Sequence, residues 1–210
     1  MTLSTKGKVF MKTMVRMFAL CSVFAAFAAV AADTAPDALV KSTVSEVMSV
    51  LQQTKDKRKL LELAEQKVLP NFDFTEMTRL AVGRSWRDAN DAQKKALENA
   101  FRSLLVNTYT AALTQAAKSD QTVEVKPARV QPDQKEVVVH TMVKESGRPP
   151  IPIDYNMRRT ASGWKVQDVV VENLSLVTNY RSTFASEVAK GGIDGLIKSL
   201  EAKNRKIAEG

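Results

Sequence analysis

Apolar residues in this chain recur first with the spacing of helices and later with the alternation of strands. Leu39, Val40, Val44, Val47, Met48 and Leu51 fall three and four apart, which predicts an amphipathic helix. A second helix is predicted at about 57–68, halted by Pro70, and a third at about 74–82, halted by Gly83. The longest stripe runs through Ala96, Leu97, Ala100, Phe101, Leu104, Leu105, Tyr109, Ala112, Leu113 and Ala116, with Asp91 placed to cap it. Lys94, Lys95, Glu98 and Arg102 lie off that stripe, so this helix has a wide face to bury.

The period then changes to two. Strands are predicted at 122–126, extending as far as 130, at 136–144, and as a hairpin beginning at Ile151. In the hairpin Ile151, Ile153, Tyr155 and Met157 alternate with Pro152, Asp154, Asn156 and Arg158. Ser162-Gly163 supplies the turn, and Trp164, Val166, Asp168 and Val170 alternate on the return. Pro132-Asp133 and Gly147-Arg148-Pro149-Pro150 separate the strands, and two closing helices at about 176–189 and 193–206 are divided by Gly191-Gly192. Helices followed by a meander give an α+β class, a four-stranded antiparallel curved sheet with helices on one face. Residues 32–118 are expected to be mainly helical, 119–172 to form the sheet and 173–210 to be helical again.

The N-terminus changes the picture of charge. Lys6, Lys8, Lys12 and Arg16 precede an apolar stretch from Met17 to Ala32 that contains Ala29-Val30-Ala31, and no acidic residue comes before Asp33. A basic n-region, a short apolar core and an A-x-A site describe a secretory signal over residues 1–31, too short to span a membrane. Met11 is an alternative start. Cys21, the one cysteine, lies inside the leader without the small residue expected before a lipidated cysteine, so the mature chain relies on its core rather than on a disulfide. The full chain carries 31 Lys and Arg against 23 Asp and Glu; the leader takes four basic residues, leaving 27 against 23 and a net charge of +4. Export and this mild charge argue against nucleic-acid binding.

Little in the mature chain supports covalent or metal chemistry. It has one histidine, no cysteine, no G-x-S-x-G elbow and no H-E-x-x-H helix. His140 reads as an edge or solvent-facing strand residue. Asp154 and Asp168 lie on facing strands, where paired carboxylates can do acid–base work, although surface ion pairs or turn caps explain them more simply. Gly191 to Gly195 reads as a helix-ending turn rather than a phosphate loop. The run Lys55-Asp56-Lys57-Arg58-Lys59 suits either anionic head groups or a solvated helix start. In Gly83-Arg84-Ser85-Trp86-Arg87 an amphipathic aromatic between cations suits either a pocket rim or packing under a loop.

Seven motifs, taken in order, resemble one family over about 39–204. They are FDFTEM (Phe72 to Met77), GRSWR (Gly83 to Arg87), FRSLLVNTY (Phe101 to Tyr109), IPIDY (Ile151 to Tyr155), GWKVQDVVVE (Gly163 to Glu172), NYRSTF (Asn179 to Phe184) and GGIDGL (Gly191 to Leu196). The chain resembles the MlaC family of periplasmic phospholipid-binding proteins, part of the Mla lipid-transport or toluene-tolerance system. One departure is Asn173, where relatives often have glycine.

The resemblance implies a cone of the nuclear-transport-factor-2 type joined to a helical subdomain. It also implies a monomeric periplasmic carrier whose cargo is phospholipid and which has no catalytic residue, metal or cofactor. Its partners would be an inner-membrane ABC transporter with an MCE-domain subunit and an outer-membrane lipoprotein and porin complex, together maintaining outer-membrane lipid asymmetry. A carrier makes physical sense, because roughly 30 exposed methylenes at about 0.8 kcal/mol each hold a free diacyl lipid out of water. Expected walls of the lipid site are Leu80, Trp86, Phe101, Leu105, Tyr109 and Leu113 from the helices, Val137, Val139, Ile151, Ile153, Tyr155, Val166 and Val170 from the sheet, and Leu176, Tyr180 and Phe184 from the last helices. A charge at Leu105 or Val139 is expected to reduce lipid occupancy before it abolishes folding. The competing readings are a small enzyme of the same fold acting on an apolar substrate and a structural adaptor of the envelope with a filled core.

Overall fold

A computed structural model describes residues 34–54, 56–116 and 121–209, apart from the side chains of Lys57 and residues 110–116. The leader, Cys21 and Lys55 lie outside them. Helix α1 (Pro36–Gln53) opens on a proline, whose fixed φ and missing N–H suit the first turn. Helix α2 (Lys57–Leu63) is capped by Asp56, whose carboxylate accepts from the Arg58 amide at 2.9 Å. It continues as a π turn (Ala64–Val68) and a 3-10 turn (Leu69–Asn71) that contains Pro70. Helix α3 (Phe74–Val82) begins where Asp73 accepts from the Glu76 amide at 2.9 Å and ends at Gly83, whose φ of 67° suits glycine.

The cap of α4 (Asp91–Ala116) differs from expectation. Asn90, not Asp91, closes its start: Asn90 Oδ1 accepts from the Gln93 amide at 2.8 Å, and Gln93 Oε1 accepts from the Asn90 amide at 3.0 Å. This reciprocal pair is a capping box, and it leaves Asp91 as the first helical residue. Helix α5 (Leu176–Glu209) is the last described element and has a break at Gly191 and Gly192, the predicted divider.

The sheet has five strands rather than four: β1 (Gln121–Val125), β2 (Glu136–Glu145), β3 (Ile151–Thr160), β4 (Gly163–Val171) and the two-residue β5 (Leu174–Ser175). They pair antiparallel in chain order. The fifth lies inside the segment expected to be helical, and β1 stops at Val125 rather than running to 130. Two residues offer too little alternation to register as a strand, and Glu172 and Asn173, both at positive φ, fold them back onto β4. That left-handed turn also accounts for Asn173, since asparagine tolerates the conformation better than other non-glycine residues. The β3–β4 turn falls on Ala161 and Ser162, with Gly163 opening β4 at a φ of 97°.

Two separate cores result. One joins α3, α4 and α5 through Met77, Leu97, Phe101, Leu104, Phe184 and Leu196, with Phe101 edge-on to Tyr180 and Phe184 at 5.0 and 5.1 Å. The other packs Val40 of α1 against Val137, Val139, Met157, Trp164 and Val166 of the sheet. Phe72 packs against both.

Asp168 is a structural residue. Its carboxylate accepts from the Val177 amide at 3.0 Å and the Ser175 hydroxyl at 2.6 Å, capping α5 from the sheet. Asp168→Ala is expected to destabilise the fold by about 1–3 kcal/mol in urea denaturation. Glu76 is held below the ordinary glutamate range, chiefly by the Arg79 hydrogen bond, against burial and with help from the charges of Arg79 and Arg158. A carboxylate favoured in the folded state adds stability above its unfolded pKa and loses it as pH falls through the lowered folded value. Glu76→Gln is therefore expected to lower stability at neutral pH and to flatten the acid side of the urea-midpoint profile.

Candidate functional site

Register decides which sheet residues face inward. Val139 pairs with Tyr155 and Thr141 with Ile153 on one face, while His140 pairs with Asp154 on the other. At Asn156 and Met157 a bulge shifts the β3–β4 pairing, so Met157 meets Val166 but Tyr155 meets Val169 and Ile153 meets Val171. Val169 and Val171 therefore join the inner face, and Val170 moves to the outer one opposite Asp154.

Between this inner face and the segment from α1 to α3 lies a cavity of about 560 Å³, within the range of small-molecule sites of roughly 300–1,000 Å³. Helix α1 contributes Leu39, Val40, Val44, Val47 and Leu51, and the α2-to-α3 stretch contributes Leu60, Leu63, Val68, Leu69, Phe72 and Phe74. Leu105, Val106 and Tyr109 of α4 and Leu176 of α5 close further sides, and Val123, Val143, Ile151, Ile153, Tyr155, Met157, Val166, Val169 and Val171 form the sheet wall. Tyr109, Ile151 and Val171 are 42%, 39% and 36% exposed, so the apolar lining reaches the protein surface at this end.

Polar lining groups are few. Thr43, Asn71 and Gln121 are joined by one acid and one base among the described residues, Glu46 and Lys67, both exposed. Asn71 Nδ2 donates to Thr43 Oγ1 at 2.9 Å and to the Lys67 carbonyl at 3.0 Å, so α1 and the 67–71 turn meet at a polar corner. Burial pushes the Tyr155 and Tyr109 phenols up, which keeps both neutral.

Seven of the expected wall residues line the cavity: Leu105, Tyr109, Ile151, Ile153, Tyr155, Val166 and Leu176. Phe101 and Phe184 are buried in the helical core instead, with Leu80, Trp86 and Tyr180 packed against it. Val137 and Val139 belong to the sheet core, Val170 faces away, and the Leu113 side chain lies outside the described residues. Helix α1 was missed as a wall, although its stripe was the first feature in the sequence. Trp86 sits in a 3-10 turn (Gly83–Arg87) rather than at a rim, with Lys94 Nζ 6.0 Å from its ring centre.

The alternative chemistry loses its geometry. Asp154 and Asp168 are not paired: Asp154 Oδ1 meets His140 Nδ1 at 2.8 Å on the exposed outer face, and Asp168 caps α5. Among the described residues, no group of His, Cys, Asp and Glu could hold a metal ion. The arrangement is suited to holding apolar chains.

A family described as MlaC protein matches residues 41–202. The chain belongs to the MlaC family. Relatives in sequence include the intermembrane phospholipid transport system binding protein MlaC of Haemophilus influenzae, 22% identical over 81% of this chain and 82% of the relative. Another is the toluene tolerance protein ttg2D of Pseudomonas putida, 25% identical over 86% and 84%. Among solved structures, the chain is similar to a phospholipid-binding protein from Ralstonia solanacearum in complex with a phospholipid. The two are 34% identical with a TM-score of 0.74, and the match covers 82% of this chain and 98% of that one.

The division between wall and core revises the expectation for charged variants of this MlaC-family chain. Val139 is fully buried in the sheet core, so Val139→Glu is expected to cost several kcal/mol and to leave little folded protein. Val47 is a part-exposed wall residue, and Val47→Glu is expected to keep a near-normal unfolding midpoint while weakening uptake of an environment-sensitive apolar dye about tenfold or more. Circular dichroism melts and dye titration separate the two outcomes.

Proposed function

We propose that this chain is a soluble periplasmic phospholipid carrier, exported by its 1–31 leader and acting as a monomer over residues 32–210. The observation that carries the reading is the apolar cavity open at Tyr109, Ile151 and Val171. The phospholipid bound by the Ralstonia relative supports it. In this reading the sheet and helices act as a cone of the nuclear-transport-factor-2 type that takes acyl chains out of water. The cargo walls are Leu105, Tyr109, Ile151, Ile153, Tyr155, Val166 and Leu176 from the sequence reading, extended by Val44 and Val47 of α1.

Each buried methylene contributes about 0.8 kcal/mol, so lipid leaves such a site readily only when another apolar surface receives it. We take the receiving surfaces to be an inner-membrane ABC transporter complex with an MCE-domain subunit and an outer-membrane lipoprotein and porin complex. Exchange between them would maintain outer-membrane lipid asymmetry. The cycle is binding and release with no covalent step, and phospholipid is cargo rather than cofactor.

Native mass spectrometry of the mature protein, purified from the periplasm without detergent, tests this directly. A discrete added mass equal to a phospholipid, lost on denaturation and recovered by solvent extraction, is expected. An unloaded protein that also fails to take lipid from vesicles would overturn the carrier reading in favour of the adaptor.

A further inference from the structure

Tyr155 is an oddity in an apolar wall. It stands in the middle of the sheet, between Val139 on β2 and Val169 on β4, and lines the cavity. The residue is half-buried, and its hydroxyl bonds to no protein group among the described residues, so this polar group is left to the cavity rather than sealed in the core. The other polar lining groups are accounted for. Thr43, Asn71 and Gln121 bond within the protein, and Glu46, Lys67 and Tyr109 are exposed to water. Burial keeps the Tyr155 phenol protonated, so it is available as a donor.

We infer that the Tyr155 hydroxyl donates a hydrogen bond to an ester carbonyl of the bound diacyl lipid and so fixes the depth at which the lipid sits. The proposal rests on the carrier reading and adds a specificity determinant to it. Acyl tails offer no acceptor. A charged phosphate is drawn to the exposed margin, where Lys67 stands and solvation is retained. The ester carbonyls, at the junction of tails and head group, are the acceptors of a phospholipid that can lie against an apolar wall without stranding a charge. A site built to bond such an oxygen disfavours an analogue that lacks it, because its donor is then left unsatisfied.

The test is a competition. Wild-type protein and Tyr155→Phe, both stripped of lipid, are incubated with vesicles containing equal amounts of ester-linked diacyl and ether-linked dialkyl phosphatidylethanolamine of matched chain length, and the loaded species are weighed by native mass spectrometry. The expected result is an ester preference of about threefold to tenfold in the wild type, lost in Tyr155→Phe. Equal uptake of both lipids by the wild type, or an ester preference that survives in Tyr155→Phe, would overturn the role of Tyr155 and leave the carrier reading intact. Failure of the wild type to load either lipid would overturn both.

Discussion

The architecture depends on one short contact, the lateral pairing of the 70–73 segment with β4. Phe72 bridges Val166 in parallel, and the Asp73 amide donates to the Val166 carbonyl at 2.8 Å. Lys165 Nζ adds a bond to the Pro70 carbonyl at 2.6 Å, and Arg158 reaches both Asp73 and Glu76 at 3.3 and 3.4 Å. This junction ties the start of α3, and with it the helical core, to the sheet. Because Phe72 packs against both cores and also lines the cavity, the same residues set the distance between the cavity walls. The ion pairs are partly exposed and individually weak, but the backbone bond and the shared aromatic give them a fixed geometry.

Separating the two cores divides the labour of the side chains. Phe101, Phe184, Leu97 and Leu196 fill space between helices and do not line the cavity. Val44, Val47, Ile153 and Val169 face a space that protein atoms do not fill. Apolar walls without a facing partner forgo the dispersion energy that close packing supplies. They are maintained because polar bonds at the margins, such as Asn71 to Thr43 and the Asp37 carboxylate accepting from the Ala128 amide at 3.3 Å, hold the layers in place.

Much of this fold could be read from the sequence wherever local signals agreed. The 74–82 helix matches to the residue because Asp73 and Gly83 bracket it, and the 191–192 break follows from two glycines. The site was harder to read, for two physical reasons. Stripe residues such as Phe101 and Leu105 look alike in sequence, yet one is sealed among helices and the other reaches the cavity, since tertiary packing rather than periodicity decides which turn of a helix meets a void. Val169-Val170-Val171 also conceals its phase. Alternation counted from Trp164 selects Val170, but the bulge beside Met157 inserts one residue and transfers the inward positions to Val169 and Val171.

That slip lengthens the wall as well as relabelling it. Without the bulge, the inner face of β4 would run Trp164, Val166, Asp168 and Val170, placing a carboxylate among apolar groups. With it, Asp168 turns to the side where it can cap α5 through Val177, and two valines take over the cavity face. The cap and the apolar lining thus follow from the same irregularity: a straight strand would have had to leave the first turn of α5 uncapped or desolvate a charge beside Tyr155. An unpaired charge there would invite water into the wall, whereas Val169 and Val171 keep the lining beside Tyr155 apolar.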